Sequence, residues 1–237
     1  MTLGLEKAQF RLRSKTGAPD AEVIGRLLEA RSSCRRFRPD PVPRETTEQI
    51  LGLAQLTASW CNSQSWGAIV IEGGELSRFS AALLSAVTSE DPELGQPAYH
   101  NRTLERRRET GWQLYEAVGV TRGDRAGSRQ QLLENFRFFG APQTMVITSD
   151  RDLGVYGAVD CGGYVANLML IATSFGVDTI AQAAIATKPT CVREFLGIPE
   201  DRVIVCGISF GYRDQSHPAN SFTTRRDGIE HVVQWRS

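Results

Sequence analysis

Histidine is scarce in this chain, with only His100, His217 and His231 in 237 residues, widely separated. They form no metal-ligating set with nearby carboxylates, and no Gly-x-Ser-x-Gly elbow is present to support Ser-His-Asp hydrolysis. A glycine-rich dinucleotide fingerprint is also missing, because Cys161-Gly162-Gly163 sits in a helical run and lacks the spacing. The five cysteines are odd in number, scattered and never arranged as Cys-x-x-Cys, which argues against a disulfide framework or a structural zinc and for reduced thiols in a cytoplasmic protein. Neither sign of charge dominates, with 27 basic and 27 acidic side chains, so no long-range field recruits nucleic acid or an anionic membrane. There is no internal repeat or low-complexity tract, no apolar leader at the N-terminus, and no apolar run expected to span a bilayer.

What is present is enough apolar residue, 41%, to bury a substantial core. Residues 1–20 read as an N-terminal arm, and residues 21–237 as one domain containing a variable region at 75–135. Asp20 is placed to cap a helix over 21–30, whose Val23, Ile24, Leu27 and Leu28 share a face. Pro43-Arg44-Glu45 opens a second amphipathic helix. Strands are expected at 68–72, 141–148 and 202–210, with Pro142 tolerated at the start of its strand. Helices are expected at 76–87, 101–118, 129–136, 157–175 and 190–196, the one at 157–175 being apolar all round and so central and buried. Residues 88–98 read as loop. The alternation gives an α+β sandwich with helices on a central sheet.

Two segments carry the chemistry. In Arg31-Ser32-Ser33-Cys34-Arg35-Arg36-Phe37, guanidiniums four residues apart share a face of a helical terminus beside two hydroxyls. A guanidinium fork matches phosphate oxygens with parallel charge-assisted bonds; a solvated surface stretch is the plainer alternative for this segment alone. The second segment, Ser59-Trp60-Cys61-Asn62-Ser63-Gln64-Ser65-Trp66, gathers amide and hydroxyl groups that would equally suit an ordinary polar loop. Trp60 and Trp66 are core or interface anchors as readily as ring-stacking groups.

Together these segments resemble the Arg-x-Ser-x-Arg-x-Phe and Pro-Ser-Ser-x-Asn-x-Gln-Pro-Trp motifs of the nitroreductase family, with Ala58 and Ser65 where that family often has proline. Gly211-Tyr212 matches the family's Leu-Gly-Tyr ending, and Thr223-Thr224-Arg225-Arg226 its C-terminal arginine element. The resemblance implies a three-layer sandwich with a mostly antiparallel central sheet, assembled as an intertwined homodimer with FMN at the interface. It implies FMN contacts from Arg31, Ser32, Ser33, Arg35, Ser59, Trp60, Asn62, Gln64, Arg225 and Arg226, with Arg225 returning to the phosphate. It also implies a small-residue loop at Ala181-Gln182-Ala183-Ala184, where Gln182, Ala183 and Ala184 bring backbone N–H groups to the flavin.

Tyr99, Trp112, Tyr115, Phe138 and Phe139 are candidates for an apolar lid over the substrate, with core packing the alternative for each. Arg106-Arg107-Arg108 could draw an anionic substrate or simply be a solvated helix face. Gly123–Gly127, Arg137–Pro142 and Gln182–Ala184 look most like the branch that reduces nitrobenzoates and nitroanilines. The implied activity is FMN-dependent transfer of hydride from NADPH or NADH to a nitroaromatic acceptor, by ping-pong steps, to hydroxylamino products. The cofactor carries the chemistry, so no catalytic side chain is assigned. A reductive dehalogenase, with Thr179 near the flavin, or an enone or quinone reductase is the alternative on the same fold. A non-enzymatic flavin-binding protein is the third reading.

Overall fold

The computed structural model describes residues 19–89 and 97–237, so most of the expected N-terminal arm and the centre of the expected 88–98 loop lie outside the described residues. The helices are α1 (Pro19–Ala30), α2 (Arg44–Ala54), α3 (Gly73–Ser89), α4 (Asn101–Ala117), α5 (Arg125–Leu133), α6 (Gly154–Ser174) and α7 (Pro189–Leu196). The strands are β1 (Trp66–Glu72), β2 (Gln143–Asp150), β3 (Asp178–Gln182) and β4 (Arg202–Gly211). They form one sheet in the order β1-β2-β4-β3, every neighbouring pair antiparallel.

Strand alternation sends side chains to two cores, one on each face of the sheet. Ile71, Val146, Ile180 and Ile204 pack under α3 and α7 with Phe79, Leu83 and Val192. Met145, Ile147, Cys206, Ile208 and Phe210 pack under α2 and α6 with Ile50, Tyr164 and Leu168. Ile204 and Cys206 are two residues apart, yet they serve opposite faces. The register between β2 and β4 shifts between Ile147 and Thr148, which pair with Cys206 and Ile204 and leave Val205 over. One unpaired residue flips every side chain beyond it. The architecture is the three-layer α+β sandwich expected.

Several elements differ in detail. Asp20 lies inside the first turn of α1 rather than capping it. The expected face of α1 is uncovered in the single chain: Val23, Ile24 and Leu28 are all exposed, and Gly25 is the buried residue of that helix. Helix α6 buries Cys161, Tyr164, Leu168 and Ala172 on the sheet, but Val155 and Val159 remain 70% and 64% exposed, so it is two-faced rather than buried all round. By length and hydropathy, residues 151–174 do reach what a bilayer span requires, contrary to the sequence expectation. The packing of this helix against β1, β2 and β3 gives its apolarity a different reason: it is the central core helix.

Candidate functional site

The sheet edge at β3 is extended by the chain that follows α1. That helix stops at Ala30, and residues 31–38 run along β3 and the end of β4 instead of continuing it. Ser33 bridges Thr179 in parallel, Cys34 N donates to Thr179 O at 3.0 Å, and Arg38 N donates to Tyr212 O at 2.8 Å. Arg31 and Arg35 are therefore not neighbours on a helix face, and the nearby charge of a third guanidinium acts on both. Arg213, two residues beyond β4, donates through Nη2 to Ser32 Oγ at 2.8 Å. Its charge lowers the affinity for protons of both Arg31 and Arg35, after the larger effect of their burial. On Arg31 the charge of Arg226 comes next after burial, ahead of that of Arg213.

Arg31, Arg35 and Arg213 thus gather around Ser32 and Ser33, with the exposed Arg226 acting on Arg31 through its charge, and among the described ion pairs Asp178 is the acid that balances one of them, through Arg213 at 2.7 Å. Partly buried like charges of this kind raise one another's free energy unless an anion joins them. The backbone is fixed by Asn220, whose Oδ1 accepts from Arg35 N at 2.7 Å and whose Nδ2 donates to Arg36 O at 2.8 Å. Arg35 lies over the ring of Phe222 at 5.2 Å. The donor set fits a phosphate monoester such as that of FMN, in charge and in the presence of hydroxyls beside guanidiniums.

The two C-terminal arginines diverge. Arg226 is the one whose charge reaches Arg31, whereas Arg225 ion-pairs with Glu109 of α4 at 3.7 Å. Asp227 pairs with Arg102 at 3.0 Å and with Arg106, so the first arginine of the Arg106–Arg108 run is held by the C-terminal segment.

Residues 181–184 do not form a loop. Ala181 and Gln182 close β3 opposite Ile208 and Gly207, and Ala183 opens a turn of 3-10 helix. That turn packs so tightly on β4 that a Cβ at Gly207 would lie 2.8 Å from Ile185. The side chain of Gln182 is committed internally: Nε2 donates to Asn135 O at 2.6 Å and Oε1 accepts from Ser209 Oγ. Ala181 and Ala183 are exposed, leaving open space above the strand end. Thr179 Oγ1 is buried and has no hydrogen-bond partner among the described residues, and strand alternation puts Thr179 on the same face as Ala181.

Ser59, Trp60, Asn62 and Gln64 sit at the far corner of the sheet. The loop leads into β1, and three of its residues have left-handed backbones: Cys61 at φ 49°, Asn62 at 57° and Gln64 at 48°. Such conformations cost roughly 1–3 kcal/mol each for residues other than glycine and persist where surrounding contacts impose them. Here those contacts come from Asp160 of α6, whose carboxylate accepts from Trp60 N at 3.1 Å and Ser63 Oγ at 3.2 Å. Ser59 Oγ accepts from Gln64 N at 2.9 Å, and Gln64 Oε1 accepts from Gln55 Nε2 at 2.8 Å. Trp60 is 58% exposed and lies 4.7 Å from Tyr156, while Trp66 is buried and stacked on Tyr164 at 4.9 Å.

Of the aromatic candidates, Trp112 and Tyr115 meet edge to face at 5.6 Å, with Arg122 4.9 Å above the Trp112 ring. Tyr99 is partly exposed beneath Arg107 at 5.1 Å. Phe139 is a correction: it is 4% exposed and belongs to the core beneath α3 with Phe138 and Phe79, where it cannot line a pocket.

Sequence reading missed Arg213, Asp178, Asn220 and Asp160. Asp160 did carry a signal, as the one charged side chain in the 21 residues of α6. The others carried none, because only strand register brings Asp178 beside Gly211 and hence near Arg213.

The sequence model of the Nitroreductase family matches residues 28–212. The chain is 32% identical over 223 residues to a 4-nitrobenzoate reductase of Nocardioides sp. (strain LMS-CY), covering 91% of this chain and 90% of that one. It is 32% identical over 219 residues to the nitroreductase NfnB of Mycolicibacterium smegmatis, with 91% and 93% covered. The crystal structure of FMN-dependent NfnB from Mycobacterium smegmatis in complex with NADPH superposes with a TM-score of 0.87 at 31% identity, covering 92% of this chain and 99% of that chain.

Proposed function

Because the chain belongs to the nitroreductase family, we propose that it is an FMN-dependent oxidoreductase that takes hydride from NADPH or NADH and reduces nitroaromatic compounds. The observation that carries this reading is the cluster of Arg31, Arg35 and Arg213 around two serines at the start of β3, with Arg226 acting on Arg31, a cradle for a phosphate monoester on the strand that leads to the exposed Ala181 and Ala183. FMN, when bound, supplies hydride acceptance and donation at its N5. Each two-electron, two-proton delivery converts nitro to nitroso with loss of water, then nitroso to hydroxylamino. The chain's own groups would bind and orient: the guanidiniums hold the phosphate, and the strand end admits a flat ring because its exposed side chains, Ala181 and Ala183, are small and Gln182 is turned inward.

The second half of the site comes from a partner copy. In one protomer the 59–64 loop lies at the β1 corner and the arginine cluster at the β3 corner, at opposite edges and opposite ends of the sheet. Three strand spacings make about 14 Å across, and the eight steps from Val203 to Gly211 make roughly 27 Å along, a span that no single mononucleotide bridges. A second copy related by two-fold symmetry brings its own 59–64 loop to the first copy's cluster. The apolar groups it would cover are already displayed: Leu28 on α1, Leu53 on α2, Trp60, and Tyr156 and Val159 on α6. Reduced cysteines fit a cytoplasmic location.

The test is the visible spectrum of the purified protein, recorded anaerobically before and after NADPH. A two-band flavin spectrum that bleaches, followed by reoxidation with 4-nitrobenzoate, is the expected result. A protein that takes up no FMN refutes the reading, and one that binds FMN without bleaching is a flavin-binding protein instead.

A further inference from the structure

Arg213 lies outside the motifs that mark this chain, and its geometry is specific. Nε and Nη2 both donate to Asp178 Oδ1, at 2.9 and 2.7 Å, while its backbone N donates to Asp178 Oδ2 at 3.3 Å. Nη2 also donates to Ser32 Oγ at 2.8 Å and to Ser32 O at 3.3 Å. A guanidinium has five N–H donors and no acceptor. Ser32 Oγ can therefore only accept from Arg213, and its own hydrogen must point elsewhere. Among the described residues no acceptor takes that hydrogen. An oxygen that accepts a charge-assisted bond becomes a stronger donor in turn.

We infer that Arg213, anchored by Asp178, is a positioning residue that makes the Ser32 hydroxyl a dedicated donor to a phosphate monoester. The inference rests on the reading of residues 31–35 as the flavin phosphate site. Asp178 opens β3 and Arg213 follows β4, so their pairing is set by the register that places Asp178 opposite Gly211. The carboxylate fixes the plane of the fork and cancels its charge, which leaves Arg31, Arg35 and Arg226 as the nearby cations without an ion pair among the described residues. Lysine cannot substitute: a single ammonium does not present parallel donors to an acid and a hydroxyl at fixed angles.

The experiment compares FMN with riboflavin, which lacks the phosphate, by fluorescence titration of the full-length chain stripped of flavin. Arg213→Gln and Ser32→Ala should each weaken FMN about tenfold and leave riboflavin within about twofold. The double variant should bind FMN no worse than Arg213→Gln alone, because the two residues act through one hydroxyl. Arg213→Lys, which keeps the charge, should fall with Arg213→Gln, and together with Ser32→Ala it decides the matter if Arg213→Gln does not fold. Parallel weakening of FMN and riboflavin, losses that multiply in the double variant, or wild-type selectivity in Arg213→Lys would each overturn the inference. A wild-type protein with no preference for FMN over riboflavin removes the phosphate site itself, and this inference with it.

Discussion

The carboxylate of Asp160 accepts the backbone N–H of Trp60 with both oxygens, at 3.1 and 3.2 Å, across 100 residues of sequence. It ties the central helix to a loop that otherwise pays for three left-handed residues with few contacts of its own. Asp160→Ala should leave the Trp60 N–H and the Ser63 hydroxyl without their acceptor, at a cost of roughly 1–3 kcal/mol. The expected outcome is a lower midpoint in urea unfolding and reduced flavin occupancy as purified. Unchanged stability would mean the loop is held by its internal bonds from Ser59 and Gln55.

The Arg35 guanidinium is partly buried, stacked over Phe222, and shifted below its ordinary pKa first by burial. Arg35→Ala should lower FMN affinity by one to two orders of magnitude, in line with the loss of a charge-assisted pair, while circular dichroism remains that of the native fold. A variant that stays unfolded even in excess FMN would make Arg35 a structural residue.

Val159 is on the exposed face of α6, beside Val155 and Tyr156 and opposite the face that packs on the sheet. Val159→Asp places a charge in the proposed dimer contact, where an unpaired buried charge costs several kcal/mol. Light scattering should show a shift from dimer to monomer, with loss of flavin in parallel. A monomer that keeps full flavin occupancy would show that one chain suffices for the site.

Phe79 is fully buried between Phe138 at 5.6 Å and Phe195 at 5.0 Å. Phe79→Ala should cost about 3–5 kcal/mol, read as a fall in the denaturant midpoint at unchanged slope.

Burial pushes the Cys34 thiol up to about 11 and the Cys206 thiol up to about 12. Both stay protonated in the folded chain where the unfolded chain has already lost those protons. The folded state then binds more protons, so this contribution is complete below the ordinary thiol pKa of about 8.5 and is lost as pH rises toward the folded values. Stability should fall with pH above that point, and Cys34→Ser with Cys206→Ser should flatten the fall. At pH 8, iodoacetamide should label exposed Cys61 and spare Cys34 and Cys206, as mass spectrometry of peptides would report.

Much of the fold was legible because helix and strand leave local traces. Proline and glycine marked the ends at Pro43 and Gly197, the latter in a left-handed backbone at φ 64° that closes α7. The motif at 31–37 was legible as charge and hydroxyl, although the helical geometry assigned to it was not, since the chain leaves α1 at Ala30 and becomes sheet edge. The first half of the loop expected at 181–184, Ala181-Gln182, became strand because tertiary pairing with Ile208 and Gly207 outweighs the weak strand preference of alanine.

The sequence by itself determined the period of each element, the two polar segments, and the kind of ligand their side chains suit. Only the tertiary structure decided that those segments occupy opposite corners of the sheet, that residues 31–38 form sheet edge with Arg213 bonded to Ser32, and that Asp178 stands beside Arg213. Periodicity is a property of neighbouring residues and survives in the sequence. Strand order, register and the one-residue bulge at Val205 depend on which distant segments bury each other's apolar faces, and no local pattern records that choice.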